Sequence, residues 1–379
     1  MRSLRPVGFI VSLALSSLSL ASFAGVAAAA EIAPITTGPY AVGSTNFTAR
    51  ADVSGDLFDY LNGKDGWFSS LRYVDQILAH RDAAFIASVQ LPGDDADDAF
   101  PVVCYVLYPT PADNPRPEYE FPYKNTGDNR FPHMQRPGEK PLFANANAKW
   151  PVVVSSPGYN AHGLWELDRA KRLAAQGYIV VSIFHGDGRF NFFDLFRRRP
   201  VMVKQVLDRL LADPDFGPAI DAERIGISGS SFGAYTMLAC LGASDPATGR
   251  AEFHDPRLKV GVGLVPFAGG YMKAPFGKDF SGLKTITRPY LALYAEKDES
   301  VAAKDVEAHT AQCSGPTTAV LLPGEGHLLS QKAWNDVPTW EILFFNAWLK
   351  DDAQARALLA GDLRVTGGVD ERVTYRRKK

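Results

Sequence analysis

The chain has 379 residues, a formal net charge of −2, 46% hydrophobic and 22% charged residues. This is the composition of a soluble globular protein, long enough for one large α/β domain or two ordinary ones with a substantial core. The body of the chain has no basic tract, so nucleic acid is not expected as a partner; the basic end Arg376, Arg377, Lys378, Lys379 reads as a solvated terminus.

Arg2 and Arg5 precede residues 6–30, which hold no charged residue and end in Ala28, Ala29 and Ala30. A basic start, an apolar middle and a small-residue finish predict an export signal cleaved near Ala30, which leaves residues 31–379 as a single periplasmic or secreted domain. Ser16, Ser17, Ser19 and Gly25 interrupt the apolar part and argue against an uncleaved anchor, so no stable membrane span is expected after cleavage. There is no twin arginine and no cysteine near the boundary for a lipid anchor. The three cysteines, Cys104, Cys240 and Cys313, read as small core residues, two of which an exported protein could pair. Neither CxxC nor histidine-rich spacing points to zinc, and no cofactor is expected.

Residues 46–53, 84–91 and 101–108 are apolar, β-prone runs, the last two separated by the turn-rich PGDDADDA. Asp94, Asp95, Asp97 and Asp98 could hold calcium, but the spacing fits no known loop and a solvated hairpin tip is the better reading. Residues 109–149 are rich in Pro, Asn, Asp and aromatics without periodicity. They are either an insertion that shapes or covers a site, as a cap or lid, or a surface excursion packed by its own aromatics.

From Trp150 the pattern becomes regular. Val152, Val153 and Val154 form a strand, SPGYN a turn, and residues 164–176 a helix that Gly177 ends. Residues 178–183 are a strand; Val203, Val206, Leu207 and Leu210 line a helix; residues 260–265, 290–295 and 318–322 are further apolar runs. Trp340, Leu343, Phe344 and Ala347 share a helical face. Such alternation predicts a mostly parallel central sheet with helices on both faces and an antiparallel N-terminal edge.

Within this frame, Ile225 and Ile227 mark a short strand that runs directly into a helix whose Ala234, Met237, Leu238 and Leu241 form one apolar face. Between them lies G-x-S-x-G, Gly229 to Gly233. In a strand–turn–helix elbow the nucleophile sits in a strained conformation that brings the residues two before and two after it too close for side chains. Ser228 and Ser230 lack glycine on both sides, so Ser231 is the candidate nucleophile.

A serine hydroxyl needs a base, and the base needs a third group to hold it. Elbow architectures place them in the order Ser, acid, His. His327, in the Gly-rich loop after the strand 318–322, is the candidate base, and Glu296, Asp298 and Glu299 are the acids at the end of the strand 290–295. His185, in HGDG, precedes Ser231 and is expected to be a site-wall or structural residue. For the oxyanion hole the elbow offers the N–H of Phe232 at a helix N-terminus. The loop after Val154 offers the N–H of Tyr159, whose ring could also line the acyl pocket.

These residues resemble the α/β-hydrolase superfamily, within it the predicted dienelactone hydrolase and platelet-activating-factor acetylhydrolase-like group. Residues 199–243 carry most of the resemblance, with GPYAVG at Gly38, WPVVVSSPG at Trp150, AEKDESV at Ala295 and PGEGH at Pro323 following the same order. SPGY is also similar to the oxyanion loop of bacterial cutinases and polyester hydrolases. The resemblance implies an α/β-hydrolase fold, selects Asp298 as the acid, and makes Ser231, Asp298 and His327 a triad with Tyr159 and Phe232 as oxyanion donors. This chain departs from the group at Ser230, where His is usual, at Ala234, where a second Gly is usual, and at Pro157, where the loop commonly has His. True dienelactone hydrolases use a cysteine nucleophile, which Ser231 argues against.

The expected activity is hydrolysis of small-molecule or lipid-like carboxylic esters through an acyl-serine, rising with pH as His327 loses its proton. Phospholipid or polyester hydrolysis is the alternative substrate class. A fold that binds without turnover is the alternative function, motivated by Ser230 and Ala234; a peptidase is disfavoured because no propeller-like repeats precede the hydrolase part.

Overall fold

Runs of Val, Ile and Leu build the sheet. The computed structural model describes residues 29–48, 74–75, 77–78, 85–95, 98–122, 128–270 and 273–377. Residues 1–28 of the expected leader, residues 49–53 of the expected strand, and Asp97 lie outside these. In chain order come β1 (Ala30–Ile32), β2 (Ala41–Ser44), β3 (Phe85–Val89), β4 (Phe100–Thr110), β5 (Tyr119–Glu120), β6 (Arg130–Phe131) and β7 (Trp150–Ser156). They are followed by α1 (Leu167–Ala175), β8 (Ile179–Phe184), α2 (Leu195–Leu211), β9 (Ile220–Ser230) and α3 (Phe232–Leu241). The remainder holds β10 (Leu258–Leu264), β11 (Tyr290–Ala295), α4 (Ala303–Gln312), β12 (Thr317–Leu322), α5 (Ala333–Leu349), α6 (Ala353–Ala360), β13 (Leu363–Val365) and β14 (Arg372–Arg377).

The main sheet runs β14-β12-β11-β10-β9-β7-β8-β4-β2, with β3 also on β4. Every pairing from β8 across to β12 is parallel. The N-terminal edge is antiparallel, as expected, and so is β14 at the other edge, which was not. The architecture is therefore α/β with a mixed sheet whose centre is parallel. β14 reads RVTYRR, and its arginines suit an edge strand that must not recruit another chain.

Strand alternation divides the core in two. Val102, Cys104, Val106 and Tyr108 of β4 face the layer built on α2 and α3. Val103, Tyr105 and Leu107 face the layer built on α1 and α5. Helices thus cover both faces. In the second layer Arg169 of α1 bridges Glu166 and Glu341 of α5 and donates to Ser228 Oγ at 3.2 Å, bracing β9 three residues before Ser231.

Helix α3 differs from the expectation of a single apolar face. All ten residues from Phe232 to Leu241 are buried, because the chain packs over the helix on every side. Helix α2 accommodates Pro200 in its interior. Proline has no N–H for the carbonyl four residues back, and the Tyr235 hydroxyl of α3 donates to that Phe196 carbonyl at 2.6 Å.

Three further expectations are corrected. At the N-terminal edge β2 ends at Ser44, and residues 46–48, the described part of the run expected from Asn46, carry no strand. The helix expected from Leu164 begins as a 3₁₀ turn, Gly163–Glu166, before α1; Gly177 does end it, at φ 92°. Strand β9 is eleven residues long rather than short.

Within residues 109–149, β5 and β6 pair. Phe121 and Phe131 are buried against Phe47, and Phe131 also packs on Tyr105 of β4. Phe143 packs on Tyr108 and Phe216. Phe121, Phe131 and Phe143 of this stretch are thus packed against the antiparallel edge. β3 and β4 form the hairpin expected around the acidic turn, with Asp98 Oδ2 accepting from Asp95 N–H. Cys104, Cys240 and Cys313 are free and buried. Among the described residues no helix is long and apolar enough to cross a membrane, and no cluster of three or more His, Cys, Asp or Glu side chains is placed to hold a metal ion.

Candidate active site

Parallel strands aim their C-terminal ends the same way, and β7, β9, β11 and β12 deliver the expected site residues to one edge of the sheet. Ser231 follows β9 with φ 50° and ψ −117°, a conformation that a residue with a side chain rarely adopts. The glycines on either side are there for space. A Cβ at Gly229 would lie 2.3 Å from the Gly233 carbonyl oxygen, and one at Gly233 would lie 1.9 Å from the Ser156 carbonyl oxygen. Expected glycine sterics are thus met, and the second contact joins the elbow to the end of β7.

His327 Nε2 lies 3.0 Å from Ser231 Oγ. Its Nδ1 lies 2.9 and 2.8 Å from the two oxygens of Asp298. Nδ1–H is then the donor to the carboxylate, which leaves Nε2 free to accept from the serine hydroxyl. The Asp298 side chain is 1% exposed, and Oδ1 also accepts from the amides of Ser300 and Val301 at 2.8 and 2.7 Å. Of the other two acids, Glu296 instead accepts from Gly324 N–H at 2.8 Å, tethering the histidine loop. Lys297 N–H to the Glu325 carbonyl, and Ser330 to the Glu325 carboxylate, fasten that loop further.

Phe232 opens α3, where the first amides have no carbonyl one turn behind them. The SPGYN loop lies beside the elbow: a Cβ at Gly158 would be 3.5 Å from Ser231 Cβ. The Tyr159 side chain is on the rim, with 53% of the residue exposed, and meets Phe192 and Phe232 edge-on at 5.1 and 6.3 Å. Phe192, Phe196 and Phe267 surround the Phe232 ring, so the ground beside Ser231 is aromatic.

His185 is fully buried and stands behind the loop, with Nε2 2.9 Å from Ser156 Oγ and Nδ1 against Met202 Sδ. Burial first, and then the charges of Arg199 and Arg189, push its pKa well below the ordinary imidazole value. It is a neutral structural residue.

Two features escaped the sequence reading. The first is a turn after β10 that grips the elbow: Ser231 N–H donates to the Leu264 carbonyl at 2.8 Å, and Phe267 N–H donates to the Ser231 carbonyl at 3.2 Å. Between them Val265 has φ 41°, an outlier for a β-branched residue, held by its N–H donating to the Leu293 carbonyl at 2.7 Å. The second is a buried Arg199–Asp187 pair under the SPGYN loop. Asp187 sits in the HGDG noted for His185, and Arg199 opens the stretch 199–243; both were visible as motif members but nothing local pairs them. No protein-family model matches the chain, and no curated protein matches it.

Proposed function

We propose that this protein is an exported serine hydrolase of α/β-hydrolase architecture that cleaves carboxylic esters. The observation that carries the reading is the unbroken hydrogen-bond chain from Ser231 through His327 to Asp298, ending on a serine held at φ 50°. His327 Nε2 takes the Ser231 proton as Oγ attacks the ester carbonyl carbon. The tetrahedral oxyanion is met by the N–H groups of Phe232 and Tyr159. His327 then gives its proton to the leaving alcohol oxygen, the C–O bond breaks, and an acyl-Ser231 remains. Water, deprotonated by the same imidazole, attacks the acyl carbon; the bond from that carbon to Ser231 Oγ then breaks, the imidazolium returns its proton to Oγ, and the acid leaves. Asp298 keeps Nδ1 as the protonated nitrogen throughout and stabilises the imidazolium.

The aromatic ground beside Ser231 supports an apolar acyl group. Fluorophosphonate labelling of the purified protein, wild type beside Ser231→Ala and His327→Ala, tests the reading, followed by p-nitrophenyl esters of increasing chain length. Labelling and turnover in the wild type, lost in Ser231→Ala, are expected. A folded wild type that neither labels nor cleaves any ester in the series rules the reading out.

A further inference from the structure

The Arg199 side chain is completely buried, and all of its donor nitrogens are engaged. Nε donates to Asp187 Oδ1 at 2.9 Å and Nη2 to Asp187 Oδ2. The opposite edge of the guanidinium donates to two consecutive backbone carbonyls, Pro157 at 2.7 Å and Gly158 at 2.7 Å. Asp187 Oδ2 in turn accepts from Asn160 N–H at 2.7 Å. The loop is therefore gripped by its carbonyls at 157 and 158 and by its amide at 160, and the Tyr159 amide lies between the grips.

In a trans peptide the N–H points opposite to the C=O of the same unit, and the described chain has no cis peptide. Drawing the Gly158 carbonyl onto Arg199 turns the Tyr159 N–H away from Arg199. The same guanidinium lies over the Phe232 ring, 5.0 Å from its centroid, and so packs against the residue that bears the other oxyanion amide. A planar fork is needed for this: lysine could reach one acceptor but not hold a carboxylate and two carbonyls in a fixed geometry.

We infer that the buried Arg199–Asp187 pair is a positioning device for the oxyanion hole, orienting the Tyr159 N–H and backing Phe232. This rests on the serine-hydrolase reading. Neither residue touches substrate; both act through the loop backbone. The pair accordingly influences the transition state, where charge develops on oxygen, and leaves binding of the uncharged ester nearly unchanged.

The test compares wild type, Arg199→Lys, Asp187→Asn, Tyr159→Pro and the Tyr159→Pro/Arg199→Lys double variant. Each is assayed for kcat and KM on p-nitrophenyl butyrate and for inhibition by an alkyl trifluoromethyl ketone, whose serine adduct carries the oxyanion. Loss of one oxyanion donor costs on the order of 100 to 1000-fold. Arg199→Lys and Tyr159→Pro are each expected to lower kcat by about 100-fold, with ketone affinity falling with kcat, and KM should stay within threefold in Arg199→Lys, which leaves the Tyr159 ring in place. The double variant should fall well short of the product of the two single losses, since both changes act on the Tyr159 donor. Independent, multiplying losses would overturn the inference, as would folded Arg199→Lys and Asp187→Asn proteins with wild-type kcat and ketone affinity. If Arg199→Lys does not fold, judged by thermal melting, Asp187→Asn takes its place in the cycle, because Tyr159 is an exposed loop position. A wild type without labelling or turnover would bring down the hydrolase reading itself, and that arm reads separately from the variants.

Discussion

Replacing Gly233 with alanine sets two principles against each other. Gly233 lies in the first turn of α3, and alanine is favoured over glycine in helices by about 1 kcal/mol. Propensity alone therefore predicts a more stable protein. The contact at the end of β7 predicts the opposite. The new Cβ would stand 1.9 Å from the Ser156 carbonyl oxygen and 2.7 Å from that of Pro157, where real contacts do not fall below 3.0 Å. Neither neighbour is a flexible side chain, so elbow and strand must separate by about 1.1 Å to reach that floor. Overpacking of this kind costs about 1–3 kcal/mol, which equals the helix gain at its lower end and exceeds it above that. The strand end that moves leads straight into Gly158 and Tyr159, and a misplacement of about 1 Å can reduce catalysis about 100-fold. Gly233→Ala is thus expected to be less stable in urea by up to about 2 kcal/mol net and to lose about 100-fold in kcat. Gly249→Ala is the control: at φ 68° with nothing within 4 Å it carries backbone strain only, and its kcat should be unchanged. A Gly233→Ala protein as stable as wild type, with kcat within threefold, would refute the close approach of elbow and strand.

Two further outcomes follow from buried polar groups. Tyr235→Phe removes the hydroxyl that donates to the Phe196 carbonyl, the acceptor left by the missing Pro200 amide, and should cost about 1–3 kcal/mol in urea denaturation; an unchanged midpoint would contradict that role. Asp336 is buried beside Glu371, which accepts from Trp340 Nε1 and Val365 N–H, and burial, reinforced by the Glu371 charge, lifts Asp336 to about 7. The folded chain then keeps a proton that the unfolded chain loses near the ordinary carboxyl value of about 3.9. Between those two values the folded state binds more protons, so this group's contribution falls as pH rises from about 4 to about 7 and is constant above. Melting temperatures measured across pH 4–8 should show wild type losing ground to Asp336→Asn over that window, and parallel curves would exclude it.

Much of the candidate site was legible because its causes are local or ordinal. Gly229 and Gly233 flank one serine, strand patterns place Ser231 and His327 at strand ends, and chain order separates His327 from His185. The choice among Glu296, Asp298 and Glu299 was not legible from the residues themselves, since which of three neighbouring acids faces the imidazole depends on how the turn after β11 packs against the loop after β12. The resemblance chose Asp298, and the geometry places that carboxylate on His327 while Glu296 holds Gly324.

By itself the sequence determined where apolar strands alternate with helices, and hence an α/β sheet with a parallel centre, together with the one serine between glycines spaced for a tight elbow. Only the tertiary structure decided that α3 is buried on all sides, that β14 closes the far edge, that Phe121, Phe131 and Phe143 pack on the antiparallel edge, and that Arg199 and Asp187 share the SPGYN backbone. The physical reason is range. Periodicity and glycine spacing record constraints between residues close along the chain. Even the need for glycine at 233 turns out to come from Ser156, and an ion pair between motifs leaves no pattern in the sequence until the sheet brings them together.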